Sequence, residues 1–341
     1  MQKKAFILLL AIWSMVACNR QELPEGTLRI SFETGALQTK ALEGDGNAAD
    51  GGGIAIDGEN PDLVILIANS EGTIVAYYPN GTGKLEGSPL STSVSISFTG
   101  LIGGNTYTVY AFGNTQGFWK MKSGGSDVTD LTALTTASQV EALQFQPQAS
   151  SDLDSHDCLQ VLEDRLPLSA KGTVTLESSG NGKIELPLLR CVAKVTARFE
   201  NQFGEEITLY NFENTMRKMR PQVGYVVAHQ NDYPVAPADA SDLTSGENSL
   251  TIPNDSAYEL SWYVFPSIGP YTCDVQFSQT DGGDLLQYLN LPIHDDHARD
   301  ITKLDRNQHL TITTRISAGK KVSFNFEVSD WDKKTERITF N

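Results

Sequence analysis

Cysteine and histidine are scarce in this chain, at four and five residues among 341. Cys18, Cys158, Cys191 and Cys273 stand far apart, and their spacing matches no zinc site. His294 and His297 flank Asp295 and Asp296, the densest group of metal-ligating side chains. No further ligand accompanies them at a recognisable spacing, and a polar loop after Pro292 accounts for them. The nucleophile elbow G-x-S-x-G and the metalloprotease H-E-x-x-H are missing. Gly81-Thr82-Gly83-Lys84 looks like a phosphate loop until its ends are read. Tyr78 then stands for the first glycine and Leu85 for the Ser or Thr. Asp45, Asn47, Asp50 and Gly51 fail as a calcium loop, because Asp50 occupies the place that the loop reserves for glycine. These absences argue against catalysis, a resident metal and a cofactor.

Basic residues are also few, 26 against 42 acidic ones, for a net charge of −16. Such a surface repels phosphate backbones, and no stretch interleaves basic with aromatic residues, so nucleic acid is not expected as a partner. Trp119, Trp262 and Trp331 are scattered singly, as packing residues usually are, rather than grouped as a sugar-stacking platform. Helical periodicity is confined to Asp127–Phe145, where a broken helix is expected with Thr129 or Asp130 as its cap. No repeat of fixed period is visible, which disfavours a propeller or solenoid.

What the chain does have begins at its start. Met1-Gln2-Lys3-Lys4 is a short basic stretch, and Ala5 to Val16 is mostly apolar. This is the pattern of a secretory signal, too short to cross a hydrocarbon core of roughly 30 Å. Met15-Val16-Ala17-Cys18 is similar to a bacterial lipobox, which makes residues 1–17 a removable signal and Cys18 a lipidated first residue. Cys158, Cys191 and Cys273 then remain, an odd number with room for one disulfide. Cys191, in an alternating apolar stretch, reads as an inert buried thiol.

The rest is dominated by strand patterns. Leu28 to Glu33 alternates apolar and polar, and the glycine-rich stretch from Gly44 to Gly53 reads as a flexible linker. Leu63 to Ile67 and Thr73 to Tyr78 form a hairpin around Asn69-Ser70-Glu71-Gly72, followed by strands at 93–99 and 106–112. Thr173–Leu176 and Lys183–Leu186 are expected to form a second hairpin around Ser178 to Gly182. Cys191 to Phe199, Glu206–Tyr210, Gly224–Ala228, Leu260–Phe265, Cys273–Phe277, Leu285–Leu289, Leu310–Ile316, Val322–Val328 and Ile338–Phe340 complete the set. Short strands between Gly, Asn, Asp and Pro turns argue for an all-β chain of two tandem β-sandwiches with minor helix. The expected division is residues 1–17 signal, 18–53 lipidated leader with first strand and linker, 54–186 first sandwich and 187–341 second sandwich.

Leu189-Arg190-Cys191-Val192-Ala193-Lys194-Val195 resembles the segment that opens the second domain of the fimbrillins, the subunits and accessory proteins of the type V pilus of Bacteroides-type bacteria. Leu63 to Gly72 is similar to their first-domain hairpin, and Tyr107 to Asn114 to the strand that follows. Arg306-Asn307 and Val328-Ser329-Asp330-Trp331 are similar to their closing segments. The resemblance implies transthyretin-like sandwiches in a structural, anchor or tip subunit of a surface fimbria with a role in adhesion. Its partners would be other fimbrial subunits, the outer membrane through the lipid, and a host protein or glycan. It also implies assembly by β-strand exchange after an arginine-specific protease removes the first strand, with Arg29 and Lys40 as candidate processing positions. No arginine stands between strand and linker, as an uncleaved anchor would allow. Val322, Phe324, Phe326 and Val328 mark a candidate exchange strand, which would either complete its own domain or fill a neighbour's groove. Asp255-Ser256-Ala257 resembles an O-glycosylation acceptor of these bacteria, at Ser256. A surface glycan-binding lipoprotein, built from the same kind of sandwich, is the competing class.

Overall fold

A computed structural model describes residues 25–32, 63–86, 95–113, 119–147, 167–212, 215, 218–219, 224–227, 249–279, 283–294 and 299–330. In chain order the first strands are β1 (Glu25–Phe32), β2 (Leu63–Ala68), β3 (Ile74–Tyr78), β4 (Gly83–Glu86), β5 (Ser95–Ile102) and β6 (Thr106–Gly113). Then come β7 (Trp119–Ser123), β8 (Ser126–Val128), helix α1 (Ala137–Glu141), β9 (Leu143–Pro147), β10 (Leu168–Thr175), β11 (Gly182–Leu186) and β12 (Leu189–Arg190). The second half contributes β13 (Ala193–Gln202), β14 (Ile207–Tyr210), β15 (Gly224–Tyr225), β16 (Ser249–Ile252), β17 (Ser256–Val264) and β18 (Ser267–Ile268). It closes with β19 (Thr272–Gln279), β20 (Leu286–Pro292), β21 (Lys303–Leu304), β22 (Gln308–Ser317) and β23 (Lys321–Asp330). No helix among the described residues is long and apolar enough to cross a membrane. The chain is an all-β sandwich protein.

Two sheets, ordered β11-β1-β5-β4 and β12-β10-β6-β2-β3, enclose a core that includes Leu28, Ile30, Phe32, Ile65, Phe98 and Val109. Two more, β17-β13-β22-β23 and β16-β14-β19-β20, enclose Val195, Phe199, Trp262, Phe277 and Ile312. Trp262 is therefore a core residue. A third core lies on the far face of the β2 sheet, under the small sheet β15-β9-β7-β8. The continuous apolar run of β2 follows from this, since Leu63, Ile65 and Ile67 point into one core while Leu66 and Ala68 point into the other. A strand buried on both faces has no solvent side to mark with polar residues.

Local chemistry sets the turns. Asn69 Oδ1 accepts from the backbone N–H of Glu71 and Thr73, closing the β2–β3 hairpin. The expected helix over 127–145 is broken, as anticipated. Asp130 caps a single 3-10 turn at Leu131–Ala133, and Thr136 with Gln139 forms a reciprocal capping box on α1. The segment's last residues are strand rather than helix, because Leu143 and Phe145 alternate into the third core. The second expected hairpin is corrected. A turn does form, with Glu177 N–H donating to Asn181, but β10 pairs with β6 while β11 crosses to the opposite sheet and pairs with β1. The Gly-rich corner lets the chain change sheets, and β1 supplies the partner that a hairpin would have supplied. Cys191 is buried but lies between β12 and β13 rather than within a strand. The Gly224 strand is only two residues long.

Candidate functional site

The first strand is enclosed on both edges within the first sandwich. Leu28 to Phe32 pairs in parallel with Gly182 to Leu186 of β11, and Glu25 to Ser31 pairs antiparallel with β5. Both edges of β1 are thus hydrogen-bonded. Leu28 and Ile30 are fully buried and Phe32 nearly so, each adding about 1.5–3 kcal/mol of apolar transfer energy. Thr27, Arg29 and Ser31 point the other way, and Arg29 Nη2 donates to Ser95 Oγ at 3.0 Å. Gly26 ends the cleft. A Cβ there would overlap the Gly180 carbonyl oxygen, so only glycine lets the two backbones approach this closely. Physically this is a slot for an extended segment: backbone pairing on two sides, and pockets for every second side chain.

On the facing sheet, at β10 and β12, the two halves of the chain are fastened by Arg306. Its Nε donates to the Arg190 carbonyl at 3.2 Å, and its Nη2 donates to Ser169 Oγ at 3.0 Å and to the Val226 carbonyl at 3.3 Å. Arg190 Nη1 in turn donates to Asn307 Oδ1 at 2.9 Å, and Asn307 N–H donates to the Val192 carbonyl at 2.9 Å. Asn307 adopts φ 58°, a left-handed conformation that asparagine tolerates. Beneath this knot, Phe265 stacks on Phe145 with ring centroids 6.2 Å apart. Gly224 leaves room for the Phe265 ring, which any Cβ would strike. Cys191 lies in the same place, its thiol pushed up by burial against the opposing pull of Arg306. Sequence inspection singled out Arg306-Asn307 and the Leu189–Val195 stretch separately; the fold brings them together, with Ser169 and Val226 as partners that no local pattern announced.

A family model for the fimbrillin-A associated anchor proteins Mfa1 and Mfa2 matches residues 101–337, more than half of the chain. The chain belongs to that family. Membership gives this anchor-family protein a fimbrial accessory role at the cell surface and places its partners among fimbrial subunits. A crystal structure described as a cell adhesion protein of Bacteroides eggerthii shares the fold, with a TM-score of 0.54 and 12% identity over 92% of this chain and 98% of that one. The fimbrial anchor protein Mfa2 from Porphyromonas gingivalis has a TM-score of 0.39 and 11% identity, over 90% of this chain and 98% of its own. A Bacteroides thetaiotaomicron structure described as a polysaccharide binding protein has a TM-score of 0.41 and 9% identity, over 89% and 98%. The latter two are too distant in shape to add to the assignment. No curated protein matched the chain in sequence.

In this anchor-family protein the expected site residues are dispersed. Arg29 sits inside β1 with a strand on either side, whereas Cys18, Lys40 and Cys158 lie outside the described residues. Ser256 opens β17 after a turn in which Asp255 takes φ 57°. Val322, Phe324 and Phe326 lie half-buried along β23, and Val328 is 39% exposed. Among the described residues that strand forms the edge of its sheet and pairs with β22 alone. Cys191 and Cys273 are both free and buried. Burial, aided by the neighbouring Asp274 charge, pushes the Cys273 thiol up to about 12, the direction expected of a thiol in apolar surroundings. His294 Nδ1 lies 2.8 Å from Asp300, while Asp295, Asp296 and His297 fall outside the described residues. Among the described residues no three His, Cys, Asp or Glu side chains are grouped to hold a metal. The linker from Gly44 to Gly53, Trp331 and Ile338–Phe340 also lie outside them.

Proposed function

We propose that the chain is the membrane-anchoring subunit of an adhesive surface fimbria. It is exported under residues 1–17, lipidated at Cys18, held by that lipid in the outer membrane, and joined to further subunits by β-strand exchange. The observation that carries this reading is the enclosed position of β1. Residues 19–24 alone separate Cys18 from Glu25, a reach of at most about 25 Å at full extension. A chain that keeps both lipid and β1 therefore has its first sandwich close to the membrane. Cleavage at Arg29 would need a protease to reach a bond flanked by strands on both sides. With β1 retained, its slot is filled, and this subunit joins the fibre as a donor. The edge strand β23 is the donor that the pairing favours, because among the described residues it is held from one side only.

Mass spectrometry of surface-exposed material tests this. The expected N-terminal peptide begins at lipid-bearing Cys18; one beginning beyond Arg29 or Lys40 overturns the anchor reading. Cys18→Ala is expected to give a folded protein that no longer takes up palmitate or fractionates with outer membrane, and continued labelling refutes lipidation.

A glycan ligand is a second reading. A recess of about 670 Å³ is lined by Tyr110, Ser138, Glu141, Gln144 and Tyr225, an aromatic, carboxylate and amide set suited to sugar hydroxyls. Titration calorimetry with polysaccharides, comparing the parent with Tyr225→Ala, tests it; absence of binding heat removes it. Ser256 is proposed as an O-glycosylation acceptor, and intact masses of parent and Ser256→Ala that differ only by the substitution discard that assignment.

A further inference from the structure

The second sandwich contains a contact that neither export, anchoring nor strand exchange uses. Lys218 Nζ lies 2.6 Å and 2.7 Å from the two carboxylate oxygens of Asp274, and 2.7 Å from Asn290 Oδ1. The Lys218 and Asp274 side chains are 10% and 5% exposed. The fold builds this place deliberately. Between Cys273 and Val275 the β19–β20 pairing shifts register, and Asp274 faces two residues of β20, Leu289 and Asn290. Its backbone N–H is instead received by Thr215 Oγ1 at 2.9 Å, and that hydroxyl donates to the Asp274 carbonyl at 3.3 Å. Its carboxylate accepts the backbone N–H of Asn290 at 2.8 Å. Asn290 adopts φ 55°, so an asparagine is accommodated there where most side chains would be strained.

We infer that Lys218 and Asn290 are joined by an intramolecular isopeptide bond, formed autocatalytically with Asp274 as the proton carrier. The three groups are those that amide exchange requires: an amine, a carboxamide at hydrogen-bond distance from it, and a base touching the amine. The Asp274 carboxylate, 2.6 Å from Nζ, is placed to take a proton from it. Neutral Nζ then attacks Asn290 Cγ. The Nζ–Cγ bond forms and the Cγ–Nδ2 bond breaks. The departing nitrogen collects the protons shed by Nζ, one of them through Asp274, which ends as the carboxylate it began as. In sum a lysine ammonium and an asparagine amide become a secondary amide and ammonium, with no oxidant, metal or nucleotide consumed. Fixed juxtaposition supplies the drive, since oriented groups at this distance react as though enormously concentrated. The bond would clamp the segment bearing Thr215 and Lys218 onto β19 and β20.

Intact-mass spectrometry of the purified full-length chain under denaturing conditions tests the inference. The expected parent mass falls short of its sequence by one ammonia. Digestion after aromatic residues is expected to yield a branched peptide carrying both Lys218 and Asn290. Lys218→Arg keeps the ion pair, and Asp274→Asn keeps the shape; both are expected to show the full sequence mass while melting cooperatively. A parent at full mass with no branched peptide overturns the bond and leaves a buried ion pair in its place. An ammonia deficit that persists in Lys218→Arg also overturns it, because the loss then arises at another asparagine.

Discussion

Arg306 has a planar fork, and its geometry uses it. One guanidinium reaches acceptors contributed by three separate stretches of chain, at Arg190, Ser169 and Val226. Truncation to alanine removes all three of these bonds, and hydrogen bonds from a charged group contribute about 1.5–3 kcal/mol each. Arg306→Ala is expected to lower the unfolding free energy by an amount in that range or above. Arg306→Lys is expected to rescue little of it, since a single ammonium cannot span the same acceptors; urea titration of both variants checks this. Glu200 offers a pH handle. Burial alone would raise its carboxyl, but hydrogen bonds and charge from Arg198 and Arg315 outweigh burial and hold it below the usual range. A depressed folded value stabilises above the unfolded value, near 4.3, and the contribution disappears as pH falls through the folded one. Glu200→Gln is expected to cost about 0.5–1 kcal/mol at pH 7, given the exposed arginines, and nothing measurable near pH 2. Equal losses at both pH values would show that shape rather than charge matters there.

Among the elements, β1 and β23 share an alternating apolar pattern yet differ in enclosure. Ile30 is fully buried in a strand paired on both sides; Phe324 and Phe326 stack on one another, 6.0 Å apart, on an edge. Ile30→Asp is expected to unfold the first sandwich, because an unpaired carboxylate in such a place costs several kcal/mol. Phe324→Asp with Phe326→Asp is expected to leave the monomer folded, with a lower midpoint, and to abolish heat-resistant ladders on gels if β23 is the donor. Ladders that survive would remove β23 from assembly. The pattern of each strand was legible, because alternation is written in successive residues. Enclosure was not. Gly182 faces Leu28 across more than 150 positions of sequence, and nothing around Ser178 to Gly182 signals that the next strand belongs to the other sheet. The same reason hid the contact of Lys218 with Asp274 and Asn290, since Lys218 lies 56 positions before Asp274.

At the scale of the molecule, the third core decides how independent the sandwiches are. Tyr263 and Phe265 come from the second half, yet they pack with Tyr110, Phe112 and Phe145 of the first. β15, another late segment, pairs with β9. A linker of few contacts would let two domains unfold separately, whereas this junction couples them. Scanning calorimetry is expected to show one principal transition in the parent and two in Phe265→Ala, which hollows the junction without touching either sandwich interior. Two transitions in the parent would mean that the third core contributes too little to join them.

The position of β1 also bears on how such a protein meets force. A pull applied at Glu25 along the strand axis strains the rungs to β5 and to β11 together, so they must fail in concert. Pulling sideways on β23 would instead open one rung after another, as a zipper does. A tether leading into β1 therefore enters through the stiff direction of the sheet, and a cell dragged by flow would stretch its fibres before it drew out their root.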